Sequence, residues 1–496
     1  MSSRRVSPVE MSKQDFKKVG HYLIDLIAEF YDRLGEGPVT TAESPTALRE
    51  LVGNGSLPEN GLSAEAIMER AADLMVNHSL FNGHPKFLGY ITSSPTQIGA
   101  LADLLAAAIN PNVGANILSP MATEIEKQTI RWLCDFIGVS PEYGGIMVSG
   151  GNMANFTAFV AARTKAERAL NESAIKPDKP KLVVYCSKAT HTWVEQAVKL
   201  FGIGKQGIRW IEQDESGKLR TEQLTKKIEG DIEDGCTPFL VVGNAGDVST
   251  GVVDDLRALA TVCKTFKLWF HIDGAYGIPA AVVPELKTLF DGIEEADSIA
   301  LDPHKWLYSP LEAGCTLVKD PTTLVDTYST HPVYFNFDGS ENQAHNFYEY
   351  GFQNSRGFRA LKVWAALQQV GRTGYVKMIR EDISLSQLFF DLAQRHPELE
   401  AVTQNLSITT LRYVPNDGSG TDEVYLNKLN ETLLNTLQQQ GEVFLSNAVL
   451  HDKYCLRGCI VNFRTSEKDI EEIVSIIVRE GRKIHASINT FSISNK

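Results

Sequence analysis

Apolar positions recur with a helical period over residues 12–34, where Phe16, Val19, Leu23, Ile27 and Phe30 form one stripe. A Pro/Gly/Ser-rich stretch, roughly 35–62, predicts irregular chain, and a second helical pattern at about 63–77 leads into H-P-K-F at residue 84. This N-terminal segment, 1–110, reads as an appendage whose apolar stripe needs a cover. From about residue 120 the texture changes. Short, continuously apolar, β-branched runs predict strands in 145–151, 181–186, 208–213, 239–244, 267–273 and 297–302, then a reversed strand over 315–320. Amphipathic helices are expected over 121–137, 152–170, 191–201, 221–229 and 254–265. Strands apolar along their whole length belong in a mostly parallel sheet covered by helices on both faces, so the fold class is α/β, with a large domain over 111–374. After a helix near 356–371 the pattern changes again. Strands in 403–414 and 455–465, with helices near 422–439 and 467–485, predict a small α+β domain over 375–496.

Charge narrows the partners. The 496 residues carry a formal net charge of −13 and no Lys/Arg-rich run, which argues against nucleic acid or an anionic membrane surface. The best apolar run, 98–109, is too short to cross a bilayer and contains Asp103. The first twenty residues lack the apolar stretch of a secretory signal, and the seven cysteines have no paired spacing. Free thiols in the cytoplasm are therefore expected. Cys455 and Cys459 form a C-x3-C without a second Cys/His pair, so no metal site is expected.

In open α/β sheets ligands collect beyond the carboxyl ends of the strands. Ser149-Gly150-Gly151-Asn152 follows the first strand and opens a helix: an ordinary turn, or an anion cradle at a helix start. His191 follows the second strand, either as a helix-start histidine or as an imidazole that stacks on a ring. Asp273 closes a buried strand, either as a cap or buried salt bridge or as the partner of a protonated pyridine nitrogen. Lys305, in D-P-H-K-W-L-Y, is a surface lysine or a Schiff-base former. A phosphate cradle, an imidazole, a carboxylate and a lysine in this order are what pyridoxal 5′-phosphate requires. The G-x-G-x-x-G at 202–207 follows a helix and precedes a strand, the reverse of the dinucleotide arrangement, and reads as a helix end and loop.

At this point a resemblance carries further. H-I-D-G-A-Y-G (271–277), D-P-H-K-W-L-Y (302–308), S-G-G-N-M-A-N (149–155) and N-S-R-G-F-R-A-L-K-V-W (354–364) resemble the group II pyridoxal-phosphate-dependent amino-acid decarboxylases, which include the aromatic-L-amino-acid, glutamate and histidine enzymes. The likeness runs from about residue 15 to 465. It implies the aspartate-aminotransferase-like type I fold with a seven-stranded sheet, and a homodimer with shared active sites clasped by the N-terminal helices. It implies that Lys305 holds the cofactor as a Schiff base, Asp273 pairs with the pyridine nitrogen and His191 stacks over the ring. Gly151 and Asn152 would cradle the phosphate, Ala275 would lie against the ring, and Asp302 and His304 would contribute around it. Tyr334, in T-H-P-V-Y, matches the family's loop tyrosine that returns a proton to the α-carbon.

For the substrate, Tyr90 resembles the aromatic-type enzymes and Ser93 stands at their threonine position, while Gly114 and Asn116 replace bulkier residues; His191 would touch the substrate carboxylate. Two further departures are Val248, at the place of a threonine that supports the cofactor's aspartate, and Asp302, in place of a common asparagine. The implied activity is decarboxylation of an L-amino acid, aromatic ahead of acidic, to the amine and carbon dioxide. The alternatives are decarboxylation with oxidative deamination to an aldehyde, an acidic substrate such as glutamate, or a silent scaffold.

Overall fold

Seven strands form the central sheet of the computed structural model, which describes residues 7–172, 181–330, 345–418, 420 and 422–494. In chain order they are β1 (Gly144–Val148), β2 (Leu182–Ser187), β3 (Ile208–Ile211), β4 (Thr237–Asn244), β5 (Trp269–Asp273), β6 (Ser298–Leu301) and β7 (Gly314–Val318). Their spatial order is β1-β7-β6-β5-β4-β2-β3. β2 to β6 run parallel, and β7 runs antiparallel to both its neighbours. The expected reversal of β7 follows from its connection to β6, which contains no crossover helix.

Side chains alternate between two cores because successive strand residues face opposite ways. Val183 and Tyr185 pack with Leu133 and Ile272 on one face; Val184 and Cys186 pack with Phe159 and Trp193 on the other. β2, β5, β6 and β7 are buried throughout, which is why these runs carry no polar alternation.

The helix Ala360–Arg395 links this domain to a smaller one and is broken at Gly371, whose φ of 64° leaves the helical region. Tyr375 and Ile379 still pack in the large core, whereas Leu385 and Phe389 belong to the small one. The small domain has an antiparallel sheet of β8 (Leu399–Asn405), β9 (Ile408–Tyr413), β10 (Ser446–Leu450) and β11 (Lys453–Cys459), ordered β10-β11-β9-β8. Helices Glu423–Gln440 and Glu467–Ser494 complete it. β10 has no counterpart in the sequence reading: its burial alternates, and its polar positions hid it.

The stretch expected to be irregular contains a short helix, Pro45–Val52, because Ser44 Oγ accepts from the Ala47 N–H and Pro45 occupies the first turn. The helix Lys13–Arg33 has no buried residue, and Phe16 on its stripe is 63% exposed. Among the described residues no helix is long and apolar enough to cross a membrane.

Candidate active site

The ends of β1, β2, β4, β5 and β6 converge on one cavity of about 1020 Å³. After β1, Gly150 takes φ 137°, a backbone angle that side chains disfavour, and the helix Gly151–Glu172 begins. Its first bond runs from the Ala154 N–H to the Gly150 carbonyl, so the N–H groups of residues 151–153 precede the helix's own bonding and form an anion-attracting end. A side chain at 151 is excluded: an added Cβ would lie 2.6 Å from Asp302 Oδ2 and 3.3 Å from the Ala275 methyl. The Asn152 side chain donates to Gln196 Oε1 at 3.2 Å.

At the end of β5 the buried Asp273 accepts from the Ala275 N–H through Oδ1 (3.2 Å) and from Trp193 Nε1 through Oδ2 (2.8 Å). His191 stands at the open side of the cavity, where its Nδ1 accepts from the Trp193 N–H at 3.3 Å. The protein around it lowers the imidazole pKa by desolvation, Lys305 lowers it further, and Asp273 and Asp302 oppose the shift. His191 is therefore neutral at neutral pH, with its proton assigned to Nε2.

Beyond β6, Lys305 Nζ lies 3.0 Å from Asp302 Oδ2. Asp302 is 1% exposed, and among the described residues its oxygens accept no hydrogen bond beyond the ion pair with Lys305. His304 Nδ1 lies 2.8 Å from the Ala313 carbonyl, and burial lowers its pKa.

Gly151, Asn152, His191, Asp273, Ala275, Asp302, His304 and Lys305 thus line one cavity, together with Tyr90. Ser93 does not: its hydroxyl is buried beneath the lysine loop and donates to the His304 carbonyl at 2.9 Å. Gly114 and Asn116 lie outside the cavity of the single chain; the Asn116 N–H donates to Asn346 Oδ1 at 3.1 Å. Tyr334 lies outside the described residues. Val248 lies in the cavity wall with an apolar side chain, and Asp273 takes its side-chain hydrogen bond from the indole of Trp193.

Sequence reasoning missed Trp193 and the small domain's share: Ser446, Asn447 and Arg457 also line the cavity. Arg457 is 3% exposed, its Nη1 donates to the Tyr90 carbonyl (3.2 Å) and Ser446 Oγ (2.9 Å), and its Nε and Nη2 have no hydrogen-bond partner among the described residues. A lone arginine inside an apolar strand was the available signal, since such a charge is rarely buried without a purpose.

These residues fit pyridoxal phosphate: a helix start free to hold a phosphate, a carboxylate for a ring nitrogen, a neutral imidazole and one amine in a single cavity. The model of the pyridoxal-dependent decarboxylase conserved domain matches residues 45–412. The chain is 33% identical to an aromatic-L-amino-acid decarboxylase of Bacillus atrophaeus, over 94% of this chain and 95% of that protein. It is 28% identical to a phenylacetaldehyde synthase of Arabidopsis thaliana, over 95% and 96% of the two. Among solved structures, it resembles Catharanthus roseus tryptophan decarboxylase in complex with L-tryptophan, with TM-score 0.85 at 27% identity over 97% of this chain and 100% of that one. The fold also matches Oryza sativa TDC with PLP and tryptamine, with TM-score 0.90 at 24% identity, over 97% and 100% of the two chains.

Proposed function

The chain belongs to the pyridoxal-dependent decarboxylase family, and from that premise we propose that it converts an aromatic L-amino acid to the amine and carbon dioxide. It is a pyridoxal-phosphate-dependent amino-acid decarboxylase; the aromatic preference rests on its relatives. The observation that carries the site assignment is the meeting of Lys305, Asp273, His191 and the 150–152 turn, from four strand ends, in one cavity.

Pyridoxal phosphate, when bound, supplies an aldehyde that takes up amines and a ring that accepts the electrons released as a carboxylate leaves. The N–H groups of residues 151–153 would hold its phosphate, Asp273 its ring nitrogen and Lys305 its aldehyde carbon. Asp273 would set a carboxyl group opposite that nitrogen, where an acidic partner favours its protonated form. His191, neutral, offers a flat face to the ring and an Nε2–H to a substrate carboxylate. Arg457 brings a cation with unpaired N–H groups to the same cavity. Tyr334 is assigned the return of a proton to the α-carbon on the strength of the resemblance.

We assign the enzyme to a homodimer. Leu105, Ile109, Leu118 and Met121 are each more than half exposed on one apolar face. Burying such a face is favourable, and Gly114 and Asn116 lie in the segment that forms it. Seven free thiols fit a reducing compartment, and we place the enzyme in the cytoplasm.

The test is product analysis across the amino acids. Amine and carbon dioxide from tyrosine, tryptophan or phenylalanine are expected, with Lys305→Ala losing turnover and the absorbance of bound cofactor. A preference for glutamate would overturn the aromatic assignment. The aldehyde synthases among the relatives support a second reading; aldehyde with ammonia and peroxide as the main products would establish it.

A further inference from the structure

Trp193 is the first residue of the helix Trp193–Leu200 and contacts two of the proposed cofactor-facing groups at once. Its backbone N–H donates to His191 Nδ1, and its indole N–H donates to Asp273 Oδ2 at 2.8 Å. The side chain is fully buried and held edge-on by His271 (centroids 5.8 Å apart) and Phe159 (6.3 Å). His271 is itself pinned between Asn155 Oδ1 (2.7 Å) and Ser298 Oγ (2.8 Å), so the indole has no room to rotate away. An indole N–H donates and cannot accept, so it holds Asp273 Oδ2 as an acceptor in one orientation.

We propose that Trp193 is the positioning residue for Asp273, aiming the carboxylate at the cofactor's ring nitrogen. The proposal rests on the assignment of Asp273 to that nitrogen. Only one of the carboxylate's oxygens is held by its own strand end, through the Ala275 N–H. Without the indole the other oxygen is free to turn, and the match to a single N–H on the ring is lost. A hydrogen bond to a charged group is worth enough that its removal weakens recognition about tenfold.

The experiment compares two ligands on the purified apoenzyme by fluorescence titration: pyridoxal phosphate, and its analogue with carbon in place of the ring nitrogen. Wild type is expected to prefer pyridoxal phosphate. Trp193→Phe keeps an aromatic ring and deletes the donor; it is expected to bind pyridoxal phosphate about tenfold more weakly relative to the analogue, so the preference shrinks. Equal loss for both ligands would mean that Trp193 is only a packing wedge, and an unchanged preference would mean that Asp273 does not depend on it. If wild type itself shows no preference, the assignment of Asp273 fails first and this inference with it. Should Trp193→Phe not fold, benzothienylalanine at 193, with sulfur in place of the indole N–H, makes the same comparison without a change of shape.

Discussion

Lys305 Nζ and Asp302 Oδ2 lie 3.0 Å apart, and among the described residues the buried carboxylate of this pair accepts no other hydrogen bond. A buried carboxylate of this kind depends on the amine beside it to compensate its lost solvation. It also sits against Gly151, at the helix start assigned to the cofactor phosphate. We expect Asp302→Asn, which keeps the shape and removes the charge, to tighten cofactor binding about tenfold (~1.4 kcal/mol), because the phosphate no longer meets a like charge. A titration of apoenzyme with cofactor checks this; weaker binding would show that the ion pair is needed to present the lysine.

Asp382 lies beneath the same loop. It is fully enclosed, and a single oxygen, Oδ2, accepts from both Trp306 Nε1 (2.8 Å) and Tyr308 Oη (2.6 Å). Burial raises its pKa to about 7. Because the folded state holds this proton more tightly than the unfolded chain, the group's contribution is fully present below about pH 4. It is then lost as pH rises through about 7. The loss is roughly 4 kcal/mol at most. Asp382→Asn keeps one oxygen for both donors and has no charge to bury, so its melting temperature at pH 8 should exceed that of wild type. The difference should vanish near pH 4. A wild-type advantage at pH 8 would show that the charge itself stabilises the loop.

Tyr334 is predicted to decide the product. Tyr334→Phe removes the phenolic proton, so amine formation should fall and aldehyde should rise among the products of the same substrate. Chromatography of both products measures the ratio. Undiminished amine would assign the proton to another group.

The apolar face around Ile109 and Met121 predicts the assembly. Leu118→Glu combined with Met121→Glu places two charges on that face and should shift the protein toward monomer in analytical ultracentrifugation. An unshifted distribution would place the dimer contact elsewhere. If Gly114 and Asn116 act at that contact, the monomer should also lose activity.

Sequence alone determined the sheet and the part of the site attached to it. A strand buried on both faces must be apolar throughout, so β2, β5 and β6 stand out, and a charged residue directly beyond such a run marks a ligand-facing end. Asp273 and Lys305 were legible on that ground, and the glycine turn by its place between a strand and a helix. The short helix Pro45–Val52 was not: its cap and proline lay inside a stretch rich in turn residues, where local signals conflict.

Tertiary structure decided everything that depends on contact between elements distant in the chain. Ser93 carries a hydroxyl at a plausible position, yet folding directs it to the His304 carbonyl and away from the cavity. Arg457 enters the site only because the small domain folds back over the strand ends. Trp193 reaches Asp273 across eighty residues of chain. Periodicity reports which way a side chain faces along its own element. It carries no information about which partner waits there, because hydrogen bonds and buried charges are set by the docking of one element on another.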